Sequence, residues 1–216
     1  SLQIFPKSFP VVLGPCSIES RSQIREVAHM VSSLGLSFLR GGAFKPRTSP
    51  YTFQGLGEKG LEFMREACDD FGLRMVTEIR DLTNAPPVLD LADVVQIGAK
   101  AMFDYGVLDL VGRSEKPVLL KRGPGATMRE LAQMADFISL RGNMSVMMCE
   151  RGIRTFEDSS RFTLDLAGLQ ALSAMVNCPI WVDPSHAMGA REGVPNLSKA
   201  AIVSGARGLI IEMHPD

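Results

Sequence analysis

Residues 118–149 read VLLKRGPGATMRELAQMADFISLRGNMSVMMC. The stretch opens with a short apolar run, passes through a polar turn, continues with apolar residues at helical spacing over 128–140, and reaches Gly142 before a second apolar run. This order is typical of a buried strand, a helix and another buried strand. Because parallel strands need such a crossover, the segment predicts a β-α-β unit of a parallel sheet covered by helices.

The same alternation recurs along the whole chain. Apolar runs predict eight strands, at 11–13, 37–40, 74–78, 94–97, 118–121, 145–149, 180–182 and 209–211. Apolar spacing predicts helices at 22–34, 60–71, 128–140, 164–176 and 197–204. Glycines suited to a left-handed helix end follow several of them: Gly35, Gly72, Gly142 and Gly205.

Eight strands in this order favour a closed barrel over an open doubly wound sheet, since no glycine-rich dinucleotide motif follows the first strand. The expected fold is an α/β protein, a (β/α)8 TIM barrel that lacks the last helix. A long polar loop is expected at 48–57, after the second strand. Residues 1–216 are expected to form a single catalytic barrel domain, and both ends, at Ser1 and Asp216, look trimmed.

Composition excludes several classes of protein. Lys and Arg total 23 against 24 for Asp and Glu, so no overall field favours nucleic acid or an anionic membrane. Four scattered cysteines do not make the dense disulfide framework of a small secreted domain. No apolar stretch of about 20 residues is long enough to span a bilayer. We therefore expect a soluble, cytoplasmic protein with reduced thiols.

Basic residues follow most of the predicted strands, where barrel enzymes carry their chemistry. They are Arg40, Lys45, Arg47, Lys100, Lys121, Arg122, Arg151 and Arg154. Taken singly, each is as often a solvated rim charge or half of a structural ion pair. Together, in a chain of net charge -1, they predict a local site for a highly charged anion. Guanidinium and ammonium groups suit phosphate and carboxylate.

A second group consists of Cys16, His186 and Glu212, which follow the first, seventh and eighth strands. These strands are neighbours only if the sheet closes. A thiolate, an imidazole and a carboxylate suit a transition metal such as Mn²⁺, Fe²⁺, Co²⁺ or Zn²⁺ rather than Mg²⁺ or Ca²⁺. Alone, Cys16 is more often a small core residue and His186 a satisfied core histidine. Asp183, at the end of the seventh strand, is a candidate to support a metal ligand or to cap a helix, and we favour the first role.

Several longer motifs at strand ends carry a resemblance to a known family. They are Gly14-Pro15-Cys16-Ser17, the stretch from Leu39 to Ser49 (LRGGAFKPRTS), Gln96-Ile97-Gly98-Ala99, Leu120-Lys121-Arg122-Gly123, Cys149-Glu150-Arg151-Gly152 and Asp183-Pro184-Ser185-His186-Ala187. In these motifs the chain resembles the 3-deoxy-D-arabino-heptulosonate 7-phosphate (DAHP) synthases, in the compact microbial branch of the family shared with the 3-deoxy-D-manno-octulosonate 8-phosphate synthases. The match runs in order along nearly the whole chain.

The resemblance implies a metal-dependent transferase, a 3-deoxy-7-phosphoheptulonate synthase. It would condense phosphoenolpyruvate with erythrose 4-phosphate and water to give DAHP and phosphate, the first step towards aromatic amino acids. The family also implies a homodimer or homotetramer.

The resemblance further assigns roles to residues at the strand ends. Cys16, His186 and Glu212 would hold the divalent metal, while Arg47 and Thr48 would take the phosphate of erythrose 4-phosphate. Lys45, Arg40 and His186 would act in catalysis. The residues implied for phosphoenolpyruvate and its surroundings are Arg40, Lys45, Glu78, which would place a water, Ala99, through its backbone amide, Lys100, Lys121, Arg151 and Asp183.

Two departures from the family leave alternatives open. Lys100 stands where the family usually has arginine, and the sequence stops before the aspartate that serves as the fourth metal ligand in the family. A catalytically inert phosphate-binding homologue is therefore one alternative. Another is the octulosonate synthase acting on arabinose 5-phosphate, although Lys-Pro-Arg-Thr after the second strand, rather than Lys-Ala-Asn-Arg, argues against it. A third is a Schiff-base aldolase that uses Lys45 or Lys121.

Overall fold

The computed structural model describes residues 9–45 and 51–215. Within them, eight parallel strands close into a barrel in the order β1-β2-β3-β4-β5-β6-β7-β8, which confirms the predicted TIM barrel. The strands are β1 (Val11–Gly14), β2 (Phe38–Arg40), β3 (Arg74–Ile79), β4 (Val94–Ile97), β5 (Val118–Lys121), β6 (Val146–Glu150), β7 (Ile180–Val182) and β8 (Leu209–Glu212). Every predicted strand is present, with each end shifted by at most one residue.

The first and last strands are joined directly by backbone hydrogen bonds. The amide of Leu209 donates to the carbonyl of Pro10 at 3.1 Å, and the amide of Met213 donates to the carbonyl of Gly14 at 2.9 Å. Elsewhere Leu13 of β1 lies opposite Leu39 of β2, and Val182 of β7 lies opposite Leu209 of β8. The continuous apolar runs of the sequence arise because β4, β5 and β6 are buried along their whole length.

Eight α-helices are described between the strands. They are α1 (Arg21–Ser33), α2 (Glu58–Phe71), α3 (Ala85–Leu91), α4 (Tyr105–Gly112), α5 (Met128–Ser139), α6 (Leu166–Ser173), α7 (Pro184–Met188) and α8 (Val194–Val203). The five predicted helices are present with shifted ends, whereas α3, α4 and α7 are too short for their spacing to stand out in the sequence. After β8 the structure describes only residues 213–215.

The chain divides into two compact units. The first unit comprises Val12–Gln96 and Glu212–Asp216, and the second comprises Ser1–Val11 and Ile97–Ile211. In the first unit, fully buried Ile24 and Val27 of α1 and Leu61 and Met64 of α2 form the core outside the strands. In the second unit the side chains of β5, β6 and β7 are buried on both faces, Trp181 of β7 among them.

The predicted long loop after β2 is partly described. Residues 51–57 contain no strand or helix before α2 begins at Glu58. The amide of Lys45 donates to the carbonyl of Gln54 at 2.8 Å, and the amide of Gly57 donates to the carbonyl of Ala43 at 3.0 Å. These bonds hold the returning part of the loop against the residues that follow β2. None of the described helices is both long and apolar enough to cross a bilayer.

Gly14 is a position at which the barrel requires glycine. Its φ of 150° is one that other residues rarely adopt, and a Cβ there would lie 1.9 Å from the carbonyl oxygen of Arg40. We expect Gly14→Ala to lower the free energy of unfolding by at least about 3 kcal/mol, because it adds backbone strain to a clash with the next strand. Urea unfolding followed by circular dichroism measures this change.

Gly125→Ala is the matched control. No atom lies within 4 Å of a Cβ at Gly125, and its φ is not positive. This variant should stay within about 0.5 kcal/mol of the parent chain. Equal stabilities for the two variants would contradict the close approach between β1 and β2.

Candidate functional site

The strand ends of the first unit bring two buried cations against two acidic or thiol groups. Lys45 Nζ lies 3.6 Å from Cys16 Sγ, and Arg40 Nη1 lies 3.3 Å from Glu212 Oε1. Arg40 is 3% exposed and Lys45 8% exposed. Gly42 leaves room for the Lys45 side chain, because a Cβ at this position would lie 2.3 Å from Lys45 Nζ. Four residues predicted for the site therefore lie in contacting pairs.

The buried position of Lys45 disfavours its charged form. Burial is the largest cause that lowers the pKa of Lys45 from the ordinary 10.5, and the neighbouring positive charge of Arg40 lowers the pKa further. Negative groups oppose this shift in part; they are Cys16, Glu78 and Glu212. An anionic ligand beside Lys45 would favour its ammonium form, since opposite charges stabilise one another most where water is excluded.

Glu78 is held by a residue to which the sequence analysis gave no role. Gln96 Nε2, at β4, donates to Glu78 Oε2 of β3 at 2.7 Å. The preceding residue, Thr77, donates its hydroxyl to the carbonyl of Gly41 at 2.7 Å. The side chains of β3 and β4 thus orient Glu78 and support the turn that leads to Lys45. The only sequence signal for Gln96 was its place in the Gln-Ile-Gly-Ala motif.

Gln23 is a second residue that the sequence analysis missed. Its side chain is buried on α1, and its Nε2 atom donates to the carbonyl of Ser17 at 3.1 Å and lies 3.0 Å from His214 Nε2. Ser17 follows Cys16, and His214 follows Glu212 by two positions. Gln23 therefore contacts both segments that carry predicted metal ligands of the first unit. A polar residue inside an amphipathic helix gave no signal of this in the sequence.

In the second unit, Asp183 joins a buried lysine to a histidine. Lys121 Nζ lies 2.5 Å from Asp183 Oδ2, and both side chains are almost fully buried. Asp183 also caps α7 by accepting from the amide of His186 at 2.9 Å, and its Oδ2 atom lies 2.7 Å from His186 Nδ1. When Nδ1 donates to this carboxylate, Nε2 is the nitrogen whose lone pair can bind a metal. Asp183 therefore both caps α7 and contacts the imidazole of His186.

Arg151 follows β6 and is 6% exposed. Its guanidinium carbon lies 4.7 Å from the centroid of the Phe162 ring. Burial lowers the pKa of Arg151 below the ordinary value, and the nearby carboxylate of Asp183 opposes that shift. Arg151 is thus a buried cation held on an aromatic face.

Arg122 is half of a structural ion pair, one of the two settings that its place in the sequence left open. Its Nη1 atom donates to Glu150 Oε2 at 2.8 Å and to Asp165 Oδ2 at 3.0 Å. Two carboxylates therefore compensate its charge. The spacing of the strands could not show this, because the acidic partners lie on β6 and at the start of α6.

The remaining predicted residues lie at or near the turn after β4 or outside the described residues. The amide of Ala101 donates to the carbonyl of Gly98 at 2.9 Å and so forms the turn that carries Ala99 and Lys100. Ala99 is half-buried, whereas Lys100 is exposed. Arg47 and Thr48 lie outside the described residues.

The structure brings the three predicted metal ligands together. The ligand atoms of Cys16, His186 and Glu212 all lie within 4.8 Å of one another. Across residues 9–45 and 51–215 no other group of His, Cys, Asp and Glu meets this criterion. The donor set fits a divalent transition metal, because a thiol and an imidazole accompany the carboxylate and Asp183 orients the imidazole.

Fold and site together define a (β/α)8-barrel protein with buried cations and a thiol, imidazole and carboxylate cluster at its strand ends. Residues 6–216 match the model of the DAHP synthetase I family, and the chain belongs to that family. The membership agrees with the resemblance carried by the strand-end motifs.

Two relatives show how far the similarity extends. The chain is 49% identical over 208 residues to the phospho-2-dehydro-3-deoxyheptonate aldolase of Thermotoga maritima, covering 96% of this chain and 62% of that protein. It is 31% identical over 221 residues to the 2-dehydro-3-deoxyphosphooctonate aldolase of Desulfotalea psychrophila, covering 94% of this chain and 78% of that protein.

Solved structures give the same result. The crystal structure of the Thermotoga maritima DAHP synthase superposes with a TM-score of 0.93 at 49% identity, covering 96% of this chain and 61% of that one. A truncated form of the Thermotoga maritima enzyme has a TM-score of 0.88 at 44% identity, with 96% of this chain and 75% of that one covered. The chain thus spans 62% of the length of its Thermotoga relative.

The four thiols should differ in reactivity. Burial raises the pKa of Cys68 to about 12 and also raises the pKa of Cys149, so at pH 8 neither forms the nucleophilic thiolate to a useful extent. Both are fully buried, whereas Cys16 and Cys178 are half-buried. We expect iodoacetamide at pH 8 to label Cys16 and Cys178, and to label Cys68 and Cys149 only after denaturation, as measured by peptide mass spectrometry.

The same labelling reports on the metal cluster. Added Mn²⁺ should slow the alkylation of Cys16, because a coordinated sulfur is no longer a free nucleophile. Cys178 is the internal control, since it lies outside the cluster and should react at an unchanged rate. Equal rates for Cys16 with and without Mn²⁺ would count against metal binding at this thiol.

Proposed function

We propose that the chain condenses phosphoenolpyruvate with erythrose 4-phosphate and water to give DAHP and phosphate, as the first step of aromatic amino-acid biosynthesis. The observation that carries the proposal is the contact of two buried cations with the donor groups: Lys45 Nζ with Cys16 Sγ and Arg40 Nη1 with Glu212 Oε1. This arrangement suits an anionic substrate beside a metal. The printed names of the Thermotoga maritima relatives support the same reaction.

In this proposal the cations at the strand ends hold phosphoenolpyruvate. Phosphate and carboxylate carry the negative charges that buried guanidinium and ammonium groups attract most strongly. Arg40 and Lys45 would bind it. The other proposed binding residues are Lys100, Lys121, Arg151 and the backbone amide of Ala99. Lys100 would make the weakest of these contacts, because an exposed ammonium lacks the two-point geometry of arginine.

The aldehyde substrate would lie beside the metal cluster. Arg47 and Thr48 would bind the phosphate of erythrose 4-phosphate, and Cys16, His186 and Glu212 would hold the divalent ion. Mn²⁺, Fe²⁺, Co²⁺ and Zn²⁺ all match this mixed donor set. When bound, the ion supplies Lewis acidity towards a carbonyl oxygen.

The residues of the chain would then direct the bond changes. C3 of phosphoenolpyruvate would form a bond to the aldehyde carbon, and the aldehyde oxygen would take up a proton, for which we assign the Lys45 ammonium as the donor. A water that Glu78 holds would add to C2. One proton of this water restores the Lys45 ammonium, and the other leaves with the phosphate as its C–O bond breaks and C2 becomes a ketone carbonyl. Arg40, Lys121 and Arg151 stabilise the charge on the departing phosphate because they are already fixed in place.

Three alternatives give different experimental results. The octulosonate synthase would use arabinose 5-phosphate, and a relative of that name is 31% identical. A Schiff-base aldolase would be trapped by borohydride on Lys45 or Lys121 and would ignore chelators. An inert homologue would bind phosphoenolpyruvate without turnover.

Within our proposal, residues 1–216 act as one catalytic domain, and the cytoplasmic location and the homodimer or homotetramer stay predictions.

Metal removal and ligand substitution test the cluster. We expect a chelator to abolish condensation, and Mn²⁺ to restore it. His186→Ala should abolish tight Mn²⁺ binding, and Asp183→Asn should weaken it by about 10- to 100-fold, because the imidazole loses its orienting carboxylate. Isothermal titration with Mn²⁺ measures both effects without relying on activity.

His29→Ala is the control for these substitutions. His29 is an exposed residue of α1 that packs edge-on against Phe71, with ring centroids 5.6 Å apart. Its removal should leave both Mn²⁺ affinity and condensation unchanged. Activity that persists after complete metal removal would exclude the metal-dependent mechanism.

A paired assay of the two aldehydes tests the substrate. With phosphoenolpyruvate and Mn²⁺ present, we expect kcat/KM for erythrose 4-phosphate to exceed that for arabinose 5-phosphate by about 100-fold or more, which corresponds to roughly 3 kcal/mol of transition-state discrimination. Phosphate release, followed by a coupled colorimetric assay, measures both rates. A preference for arabinose 5-phosphate would replace the proposed reaction with that of the octulosonate synthase.

A further inference from the structure

Glu150 is a buried acidic residue for which the proposed reaction has no role. It is the last residue of β6, it directly precedes Arg151, and it is 0% exposed. We propose that Glu150 is a positioning residue. Its side chain fastens both ends of residues 151–165 through hydrogen bonds, so that Arg151 stays in the position in which it binds phosphoenolpyruvate. The inference rests on the proposed function, since the phosphoenolpyruvate contact of Arg151 is part of that proposal.

One oxygen of Glu150 holds the two ends of the connection between β6 and α6. Glu150 Oε1 accepts from the amide of Gly152 at 2.7 Å and from the amide of Asp165 at 3.3 Å. Gly152 is near the beginning of the connection, and Asp165 is the N-cap of α6. Because hydrogen bonds to an ionised acceptor are stronger than neutral ones, this single atom closes a long loop.

The other oxygen of Glu150 is matched by a buried cation. Glu150 Oε2 accepts from Arg122 Nη1 at 2.8 Å, and Arg122 Nε donates to the carbonyl of Ala126 at 2.8 Å. The same Nη1 atom reaches Asp165 Oδ2 at 3.0 Å. The ion pair compensates the burial of the carboxylate and ties the residues after β5 to the loop after β6.

The folded loop in turn supports Arg151. Ile153 and Thr163 form an antiparallel bridge, with N to O distances of 2.9 and 3.0 Å. The amide of Phe162 donates to the carbonyl of Ala187 at 2.8 Å, which places the Phe162 ring 4.7 Å from the Arg151 guanidinium carbon. The aromatic face against which Arg151 lies therefore belongs to the loop whose ends Glu150 fastens.

An amide cannot replace this carboxylate. In Glu150→Gln the side chain keeps its size, but only one oxygen remains, so the variant must give up either the two backbone amides or Arg122. If the remaining oxygen stayed with the two backbone amides, the NH2 group would face the N–H groups of Arg122, and neither group could accept a hydrogen bond. The buried guanidinium would keep Asp165, so the variant is expected to fold while the loop loses its fastening.

Asn143→Ala is a control at the other end of the same strand. Asn143 is buried just before β6, and its Nδ2 atom donates to the carbonyls of Val111 and Lys116 at 3.0 and 2.8 Å. Its removal also deletes buried hydrogen bonds, but it does not touch residues 151–165. The two variants thus separate a loss of stability from a loss of positioning.

The experiment compares the full chain and both variants, each loaded with Mn²⁺. Titration calorimetry with phosphoenolpyruvate alone gives Kd without turnover, and hydrogen exchange with mass spectrometry reports on residues 151–165. For Glu150→Gln we expect Kd to rise about tenfold, as for other residues that orient a binding group, and exchange across 151–165 to quicken. For Asn143→Ala we expect both readouts to match the parent chain.

The outcomes are separable. An unchanged Kd or unchanged exchange in Glu150→Gln overturns the inference, as does an equal rise of Kd in Asn143→Ala. If the parent chain binds no phosphoenolpyruvate, both the proposed function and the positioning role fail. Hydrogen exchange would still show whether Glu150 fastens the loop. If the parent chain binds phosphoenolpyruvate but does not condense it, the proposed reaction fails and the positioning role stands on Kd.

Discussion

The arrangement of the site depends on the backbone pairing between the last strand and the first. The hydrogen bonds from Leu209 to Pro10 and from Met213 to Gly14 leave no free strand edge at this point of the sheet. They also bring together the two ends of the chain, so that Cys16 and Glu212 follow neighbouring strands. Gly14 also lies close to β2 on the other side of β1, because its missing Cβ lets the carbonyl of Arg40 approach. A bulkier residue there would disturb the pairing of β1 with β2.

Charge at the strand ends is compensated unevenly. Lys121 is paired with Asp183, and Arg122 with Glu150, so each of these buried cations has a carboxylate within hydrogen-bonding distance. Lys45 instead lies near Arg40, and its lowered pKa reflects both its burial and that positive neighbour. A paired buried charge helps to hold the structure, whereas a buried cation beside another cation favours an anionic ligand. This contrast sets Arg122, to which we assign no substrate contact, apart from Lys45.

Much of the site could be predicted because barrel chemistry follows strand ends. Cys16, His186 and Glu212 each come after an apolar run, and their ligand atoms meet as expected. The supporting residues could not be found in this way. Glu150 and Gln96 act through the direction of a carboxylate or amide towards a neighbouring strand, and no spacing in the chain records that direction. The ion pairs of Arg122 could not be foreseen for the same reason, because its two acidic partners are distant in sequence.

The amino-acid order alone determined the eight buried strands, the longer helices and the residue types at each strand end, because burial on both faces demands continuous apolar runs and amphipathic helices repeat at a fixed period. It could not determine which polar side chains pair. That outcome depended on folding, since a hydrogen bond or ion pair requires atoms within about 3 Å, and only the closed barrel brings side chains from distant strands so near. The pairing of particular cations with particular carboxylates is therefore a property of the folded molecule.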